Sequence, residues 1–408
     1  MIMANDKQNT SPNVPNKREQ SGIYSGYAER GELRPQGNVP NLRFPEFCEE
    51  WMRCTLGDIT ENFSRRNKED IHYPMFSVTN NKGFIPQSEQ FEDREMIGED
   101  IKAYKIIHKD DFAYNPARIN VGSIAKYNEE NPCMISSLYV CFKTNPKIDN
   151  DWMMQLLKTP KMNFYYNVNG EGGVRIYLFY PNFARIKASY PTLKEQQKIS
   201  SFLTLLDERI STQNKIIEDL KKLKVAISNK LFELSNLVEY KISDVAQIGR
   251  GRVISTLEIS KQECPIYPVY SSQTSNNGIM GYLDTYDFEG EYITWTTDGA
   301  NAGTVFYRNG KFNCTNVCGV LKVNDNIDAY YLSIVLQSAT AKYVSTNLAN
   351  PKLMNNTMSS IRVNLPSLSE QRKWSYALRK IDAKIENEIL ASALLCKQKQ
   401  YLLQQMFI

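Results

Sequence analysis

The chain has 408 residues, 42% of them apolar, which is enough for two or three globular domains and too much for one ordinary domain. Its 49 basic and 45 acidic residues leave a net charge of +4, so a strongly cationic surface over the whole molecule is excluded. If nucleic acid is the partner, positive charge must be gathered on one face.

The opening MIMANDKQNTSPN is polar, and no apolar run approaches about 18 residues, so the chain is expected to be cytoplasmic, with no membrane contact. Residues 1–38 are rich in Asn, Pro, Gly and charge and are expected to form a disordered N-terminal extension. A first globular domain is expected over 39–190, a central long helix over 191–237, a second domain over 238–365 and a C-terminal long helix over 366–408. Alternating strand runs with Gly and Asn turns, plus short helices such as Trp152–Leu157, give each domain an α+β character. Aromatic runs such as IYLFYPNF are expected in buried sheet.

An internal repeat organises the chain. YPTLKEQQKISSFLTLLDERI from Tyr190 answers LPSLSEQRKWSYALRKIDAKI from Leu365 without a gap. Pro191 matches Pro366, Glu195-Gln196 matches Glu370-Gln371, Asp207 matches Asp382, and the correspondence runs on to Phe232 and Phe407. Upstream the match is looser. LGDI at Leu56 answers ISDV at Ile242, YPMFS at Tyr73 answers YPVYS at Tyr267, and Asn120–Tyr127 answers Asn301–Arg308. The helices are thus alike and the domains divergent, which suggests common packing duties for the first and separate recognition duties for the second.

From Lys194 to Phe232 there is no Pro or Gly, and Ile199, Leu203, Leu206, Ile210, Ile217, Leu220, Ile227 and Leu231 keep a heptad seam. Gln213 and Lys224 interrupt it. The second copy places Trp374, Leu378, Ile381, Ile385, Leu395, Leu402 and Met406 at the same phases, with Glu388 and Lys399 among its interruptions. A single narrow apolar stripe does not stabilise a lone helix. The two are therefore expected to pair as an antiparallel intramolecular coiled coil, each roughly 58 Å long at about 1.5 Å per residue. Pro191 and Pro366 block an earlier start, and Glu195 and Glu370 suit the positive end of the helix dipole in the first turn.

Two copies of P-x-L-x-E-Q-x-K before a long helix, each after a variable domain, resemble the specificity subunits of type I restriction-modification systems. The stretch RFPEF-x3-W-x4-LGDI from Arg43 to Ile59 looks like the common opening of that family. The resemblance covers about residues 39–408. It implies two target-recognition domains on double-stranded DNA, one for each half of a bipartite site, held apart by the helices. It also implies two methyltransferase (modification) subunits and restriction/translocase subunits as partners. S-adenosylmethionine, ATP and Mg2+ are then expected on those partners, with none in this chain.

Reading base edges needs Arg, Lys, Asn or Gln at exposed loops. Candidates at matching places are Asn80, Asn81 and Lys82 (TNNKG) with Asn276 and Asn277 (SNNG), and Arg118 and Asn120 with Asn301. Before each helix come Arg175 in GEGGVR, and Lys352, Asn355 and Asn356 in PKLMNN, with Arg250 and Arg252 of GRGR added. Asn-Asn-Gly is also a turn signature.

No catalytic residues are expected. NPAR at Asn115 lacks the second proline and the aromatic of an adenine methyltransferase motif, and no Walker loop or carboxylate–lysine nuclease cluster is visible. The eight cysteines are scattered apart from Cys314 and Cys318, and His72 and His108 are the only histidines, so no metal site is expected and the thiols are taken as reduced and mostly buried. The alternative function is a coiled-coil scaffold that reads no DNA. It accounts for the helices but leaves two divergent domains without a purpose.

Overall fold

The structure is a computed structural model and describes residues 37–90, 101–173, 176–345 and 350–408. The expected N-terminal extension, all but Gly37 and Asn38, lies outside the described residues. The chain divides into two compact units: one runs to Ser200 and takes in Leu402–Ile408, the other is Ser201–Tyr401.

In the first unit the chain arrives on strand Met52–Thr55 and leaves on Lys187–Tyr190, and these two pair antiparallel. Between them lies a four-stranded antiparallel sheet in the order Thr60–Phe63, Val140–Thr144, Phe112–Tyr114, Ile124–Lys126. A hairpin, Phe76–Thr79 with Gly83–Pro86, and a second pair, Lys105–Ile107 with Cys133–Ile135, stand beside it. Val78, Ile107, Ala113, Cys133 and Cys141 form one core cluster. The base is closed by Trp51, Trp152 and Phe407, whose rings meet at 5.8–6.3 Å between centroids.

The second unit repeats that base. Val238–Lys241 pairs antiparallel with Arg362–Leu365. Above it is a six-stranded sheet in the order Ala246–Arg250, Cys318–Val323, Phe288–Thr296, Val305–Cys314, Tyr267–Tyr270, Ile279–Leu283. One contact in it, Tyr267–Tyr270 on Val305–Cys314, is parallel. Helix Ala329–Ala339 packs into a core that includes Trp295, Leu321, Tyr331, Leu336 and Leu378.

The shared base extends to single hydrogen bonds. Leu56 N–H donates to Ile186 O and Ile242 N–H to Ile361 O. Asn145 Nδ2 donates to Asp58 O, and Asn324 Nδ2 to Asp244 O, both at 3.2 Å. Asp149 caps helix Asn150–Leu157 through Trp152 N–H, as Asp328 caps Ala329–Ala339 through Tyr331 N–H. Gln196 Oε1 accepts from Asp149 N–H while its Nε2 donates to Pro191 O, each 2.9 Å. Gln371 does the same with Asp328 and Pro366, again at 2.9 Å. This is the physical reason for the E-Q step: a buried amide ties the start of the long helix to a helix of the domain it follows.

The preceding glutamates differ. Glu195 is buried and takes a two-pronged bond from Arg43 (2.7 Å twice) with Trp51 Nε1 at 3.3 Å. Glu370 is exposed and closes only a local cap with Ser367.

The long helices are Leu193–Lys230 and Leu368–Gln405, 38 residues each. Within the second unit they run antiparallel. Asp207 meets Lys399 (2.5 Å), Asn214 meets Ser392 (2.8 Å), Gln213 meets Glu388, and Lys224 meets Asp382 (2.6 Å). As the first helix advances, its partner positions fall. Seam positions Leu206, Ile210, Gln213, Ile217, Leu220, Lys224 and Ile227 are half-buried or buried, and their neighbours are mostly exposed. Each apolar side chain covered in this way is worth up to about 1.5–3 kcal/mol, whereas the half-exposed ion pairs add less and fix register and direction instead.

Two expectations need correction. IYLFYPNF is not buried sheet: Tyr180–Ala184 is a short helix with Pro181 in its first turn, a position where proline suits helix geometry. Leu178 and Phe183 are buried there, but Tyr177 and Phe179 are exposed and stacked on each other. The eight cysteines are all free, yet Cys48, Cys264 and Cys396 are exposed and only four are buried. Among the described residues no helix is long and apolar enough to cross a membrane.

Candidate nucleic-acid interface

In the first unit the residues Asn80, Asn81 and Lys82 form the tip of the hairpin, because Thr79 pairs with Gly83. Gly83 supplies the positive φ of +69° that the turn requires. Thr79 Oγ1 accepts from Lys82 N–H and donates to Gly83 O. All three tip residues are exposed.

The loop after Tyr114 is strapped to this hairpin. Buried Ser123 donates to Val78 O at 2.7 Å, and a Cβ on Gly122 would stand 3.4 Å from Asn80 O. A groove of about 670 Å³ results, lined among others by Asn80, Asn81, Lys82, Gln87, Asn115 and Arg118. The structure thus brings together two sequence-separated candidate loops.

Lys82 and Arg118 form no salt bridge among the described residues, which leaves two cations beside three asparagines, a glutamine and one exposed carboxylate, Glu89. Gln87 Nε2 reaches Ser77 Oγ at 3.3 Å, and its Oε1 is buried with no hydrogen-bond partner among the described residues. Asn120 does not join the groove lining, since its Nδ2 is turned to Asn167 Oδ1 at 3.0 Å. Arg175 lies outside the described residues; Glu171 and Tyr177, which are described, pair in an isolated antiparallel bridge.

In the second unit the candidates fall into two groups. Asn276 and Asn277 occupy the turn Ser275–Gly278 and are both exposed. Asn301 sits in the loop between strands Phe288–Thr296 and Val305–Cys314, its carbonyl held by the hydroxyls of Thr296 and Thr304. That loop is joined to the segment before the last short helix by Gly299 N–H to Pro351 O (3.0 Å) and Leu353 N–H to Thr297 O (2.8 Å). Lys352 lies in this segment, bridged to Asp298. Asn355 and Asn356 open helix Asn355–Ser360. Arg250 Nε donates to Asn355 Oδ1 at 3.1 Å, which adds the first arginine of GRGR to the cluster.

Arg252 points its charge elsewhere. It pairs with Glu258 (2.6 Å) and Asp287 (3.1 Å), and the Glu258 hydrogen bond raises its pKa further. Two carboxylates neutralise it, so it offers little to a phosphate.

The arrangement provides amide donor–acceptor pairs and unpaired cations on exposed loops, the groups needed for base edges and phosphates respectively. Sequence reasoning missed Gln87 and Asn115. Only the packing of the Asn115–Ser123 loop on the hairpin places them in one groove, and no local motif announces that. Among the described residues, no group of three or more His, Cys, Asp or Glu side chains could hold a metal ion.

Comparison with known proteins agrees with this layout. The model of the type I restriction modification DNA specificity domain matches twice, over residues 48–222 and 235–394. A type I specificity subunit N-terminus from Mycoplasma pneumoniae is 51% identical over 135 residues, covering 33% of this chain and 72% of the relative. The specificity subunit of the type I restriction enzyme MpnII of the same organism is 44% identical over 135 residues, covering 33% of this chain and 40% of that protein. The crystal structure of the type I restriction-modification S subunit from M. genitalium superposes with a TM-score of 0.62 at 16% identity, over 91% of this chain and 99% of that one.

Proposed function

The chain belongs to the type I restriction-modification DNA specificity family, and from that premise we propose that each of its domains reads one half of a split double-stranded DNA site. The observation that carries this reading is the contrast between a base that repeats its strand pairing and its glutamine anchor and loop clusters that are not repeated. The first domain offers Asn80, Asn81, Lys82, Gln87, Asn115 and Arg118 around one groove. The second offers Arg250, Lys352, Asn355 and Asn356 in one cluster and Asn276–Asn277 in a separate turn.

With a net charge of only +4, binding leans on partner subunits for much of its electrostatic strength. Those partners are two methyltransferase subunits and, in a complete system, restriction/translocase subunits. S-adenosylmethionine, ATP and Mg2+ belong on them, and this chain directs their chemistry without taking part in it. Acting on chromosomal DNA places it in the cytoplasm. The paired helices fix the number of base pairs between the half-sites, since about 57 Å of helix at ~1.5 Å per residue exceeds one turn of B-DNA, about 34 Å.

Methylome sequencing of cells that express the chain with its methyltransferase subunit is the test. A split methylated motif that disappears when the chain is deleted is the expected result. If methylation persists unchanged without a folded, expressed chain, the coiled-coil scaffold reading takes its place.

A further inference from the structure

Arg308 lies in strand Val305–Cys314 and is only 4% exposed. Its guanidinium stacks 3.6 Å from the Tyr270 ring centroid and 4.4 Å from that of Phe306. Nε donates to Thr294 Oγ1 at 3.2 Å, and one terminal nitrogen donates to Asn277 O at 2.9 Å. Among the described residues it has no salt bridge, and burial pushes its pKa down. A buried cation without a carboxylate is costly, and an apolar side chain would fill the same space without that cost. The aromatic faces offset part of it. The remaining polar contact that leaves the sheet goes to the Asn276–Asn277 turn.

That turn is unusual. Asn276 (φ +49°) and Asn277 (φ +52°) are both left-handed, followed by Gly278 at +81°. Asparagine tolerates this region better than most residues, but two in succession need support. The support is on hand: Ser271 N–H donates to Gly278 O at 3.0 Å, Gln273 Nε2 holds Ile279 O, and Arg308 holds Asn277 O. A Cβ on Gly278 would stand 3.0 Å from the Arg308 guanidinium and crowd it, and the φ of +81° favours glycine there as well. The first domain does without such a brace. Its tip uses the positive φ of Gly83 and the Thr79 hydroxyl, and the residue matching Arg308 in the repeat is Tyr127, which bonds to Asn131 O instead.

We propose that Arg308 is the positioning residue of a base-reading turn, holding Asn276 and Asn277 so that their amides can address a base edge in the second half-site. Adenine is the base whose neighbouring acceptor and donor an asparagine amide matches. The inference rests on the proposed reading of DNA by this family member.

The test uses the complete complex with its methyltransferase and scores methylation of sites carrying one changed base in either half. Arg308→Lys keeps the charge and loses the planar fork; Arg308→Met removes the charge and keeps the volume. Both are expected to raise methylation of sites altered in the second half by about fivefold or more relative to the cognate motif, with fidelity at the first half unchanged. Asn276→Ala and Asn277→Ala leave Arg308 in place and are expected to relax the same half-site; they stand in if the arginine variants do not fold.

Wild-type fidelity at both halves in folded variants overturns the proposal, as does an equal loss at both halves, which marks a global structural role. Deleting the chain is the separate control. If methylation ignores the deletion, the DNA-reading function itself fails; if it depends on the chain and these variants are neutral, only the role of Arg308 and its turn falls.

Discussion

Gln196 and Gln371 share two bonds to the same kinds of partner, all at 2.9 Å, and Gln196 adds a third to Lys147 O at 3.0 Å. The turns Asn80–Lys82 and Asn276–Asn277 share a sequence flavour and almost nothing else. One is a hairpin tip closed by Gly83 and the Thr79 hydroxyl; the other is a left-handed asparagine pair braced by a buried arginine. A long helix needs one kind of anchor wherever it starts, so the anchor is repeated. A reading surface has to differ wherever the bases differ, and the loops have diverged accordingly while the base beneath them was kept. The base also makes that divergence tolerable. Each domain's first and last strands lie side by side, so everything between them can change without moving the helix that follows.

The strongest way to break this comparison is to exchange residues 238–365 for the corresponding domain of a relative. The expected outcome is complete replacement of one half-site with the other retained, scored by methylome sequencing. A change in both halves would mean that recognition is not confined within a domain.

A smaller effect is expected when the shared anchor is removed. Gln196→Leu and Gln371→Leu each strip partners from a buried N–H and a buried carbonyl, at a cost of about 2 kcal/mol. Thermal melts should then fall by roughly 4–8 °C for either variant. If one variant melts like the parent while the other collapses, the two anchors are alike only in outline.

The mildest test concerns the groove. Arg118→Ala should weaken DNA binding by the assembled complex and flatten its salt dependence by about 0.9 in log–log slope, while half-site fidelity stays intact. A fidelity change would move Arg118 from backbone contact to base reading.

Much of the architecture was legible in the sequence because its signals are local. Heptad phase and the prolines before each helix marked the start of both helices to within a residue, and the constant repeat offset predicted their pairing. Even the polar interruptions Gln213, Lys224, Glu388 and Lys399 proved to be seam residues that meet across the pair.

The loops were legible as residue types but not as a site. Asn80 and Arg118 share a groove because Ser123 is strapped to Val78, a contact that no spacing rule encodes. A short repeat, Asn145, Ile148 and Asp149 against Asn324, Ile327 and Asp328, carries the anchoring bonds and passed unnoticed because it is three matches inside divergent sequence. Arg252 looked available from its GRGR setting, but Asp287, 35 residues away, helps to neutralise it.

The crossing of Gln213 and Glu388 has one more implication. These two residues occupy the same position in the two repeats, and the ion pairs around them, Asp207–Lys399 and Lys224–Asp382, exchange places when the copies are interchanged. Both flanking ion pairs would therefore survive if a helix met a second copy of itself, because Asp382 would find Lys399 and Asp207 would find Lys224. The Asn214–Ser392 bond would be lost in either case, since these positions answer Ile389 and Ile217, and the central position discriminates between the two self-pairings. Two first helices would set glutamine against glutamine, which is tolerable, whereas two second helices would force Glu388 against Glu388 in a half-buried seam. A single carboxylate, placed where a residue faces its own image, thus biases the C-terminal helix away from self-association and toward the unlike helix in its own chain.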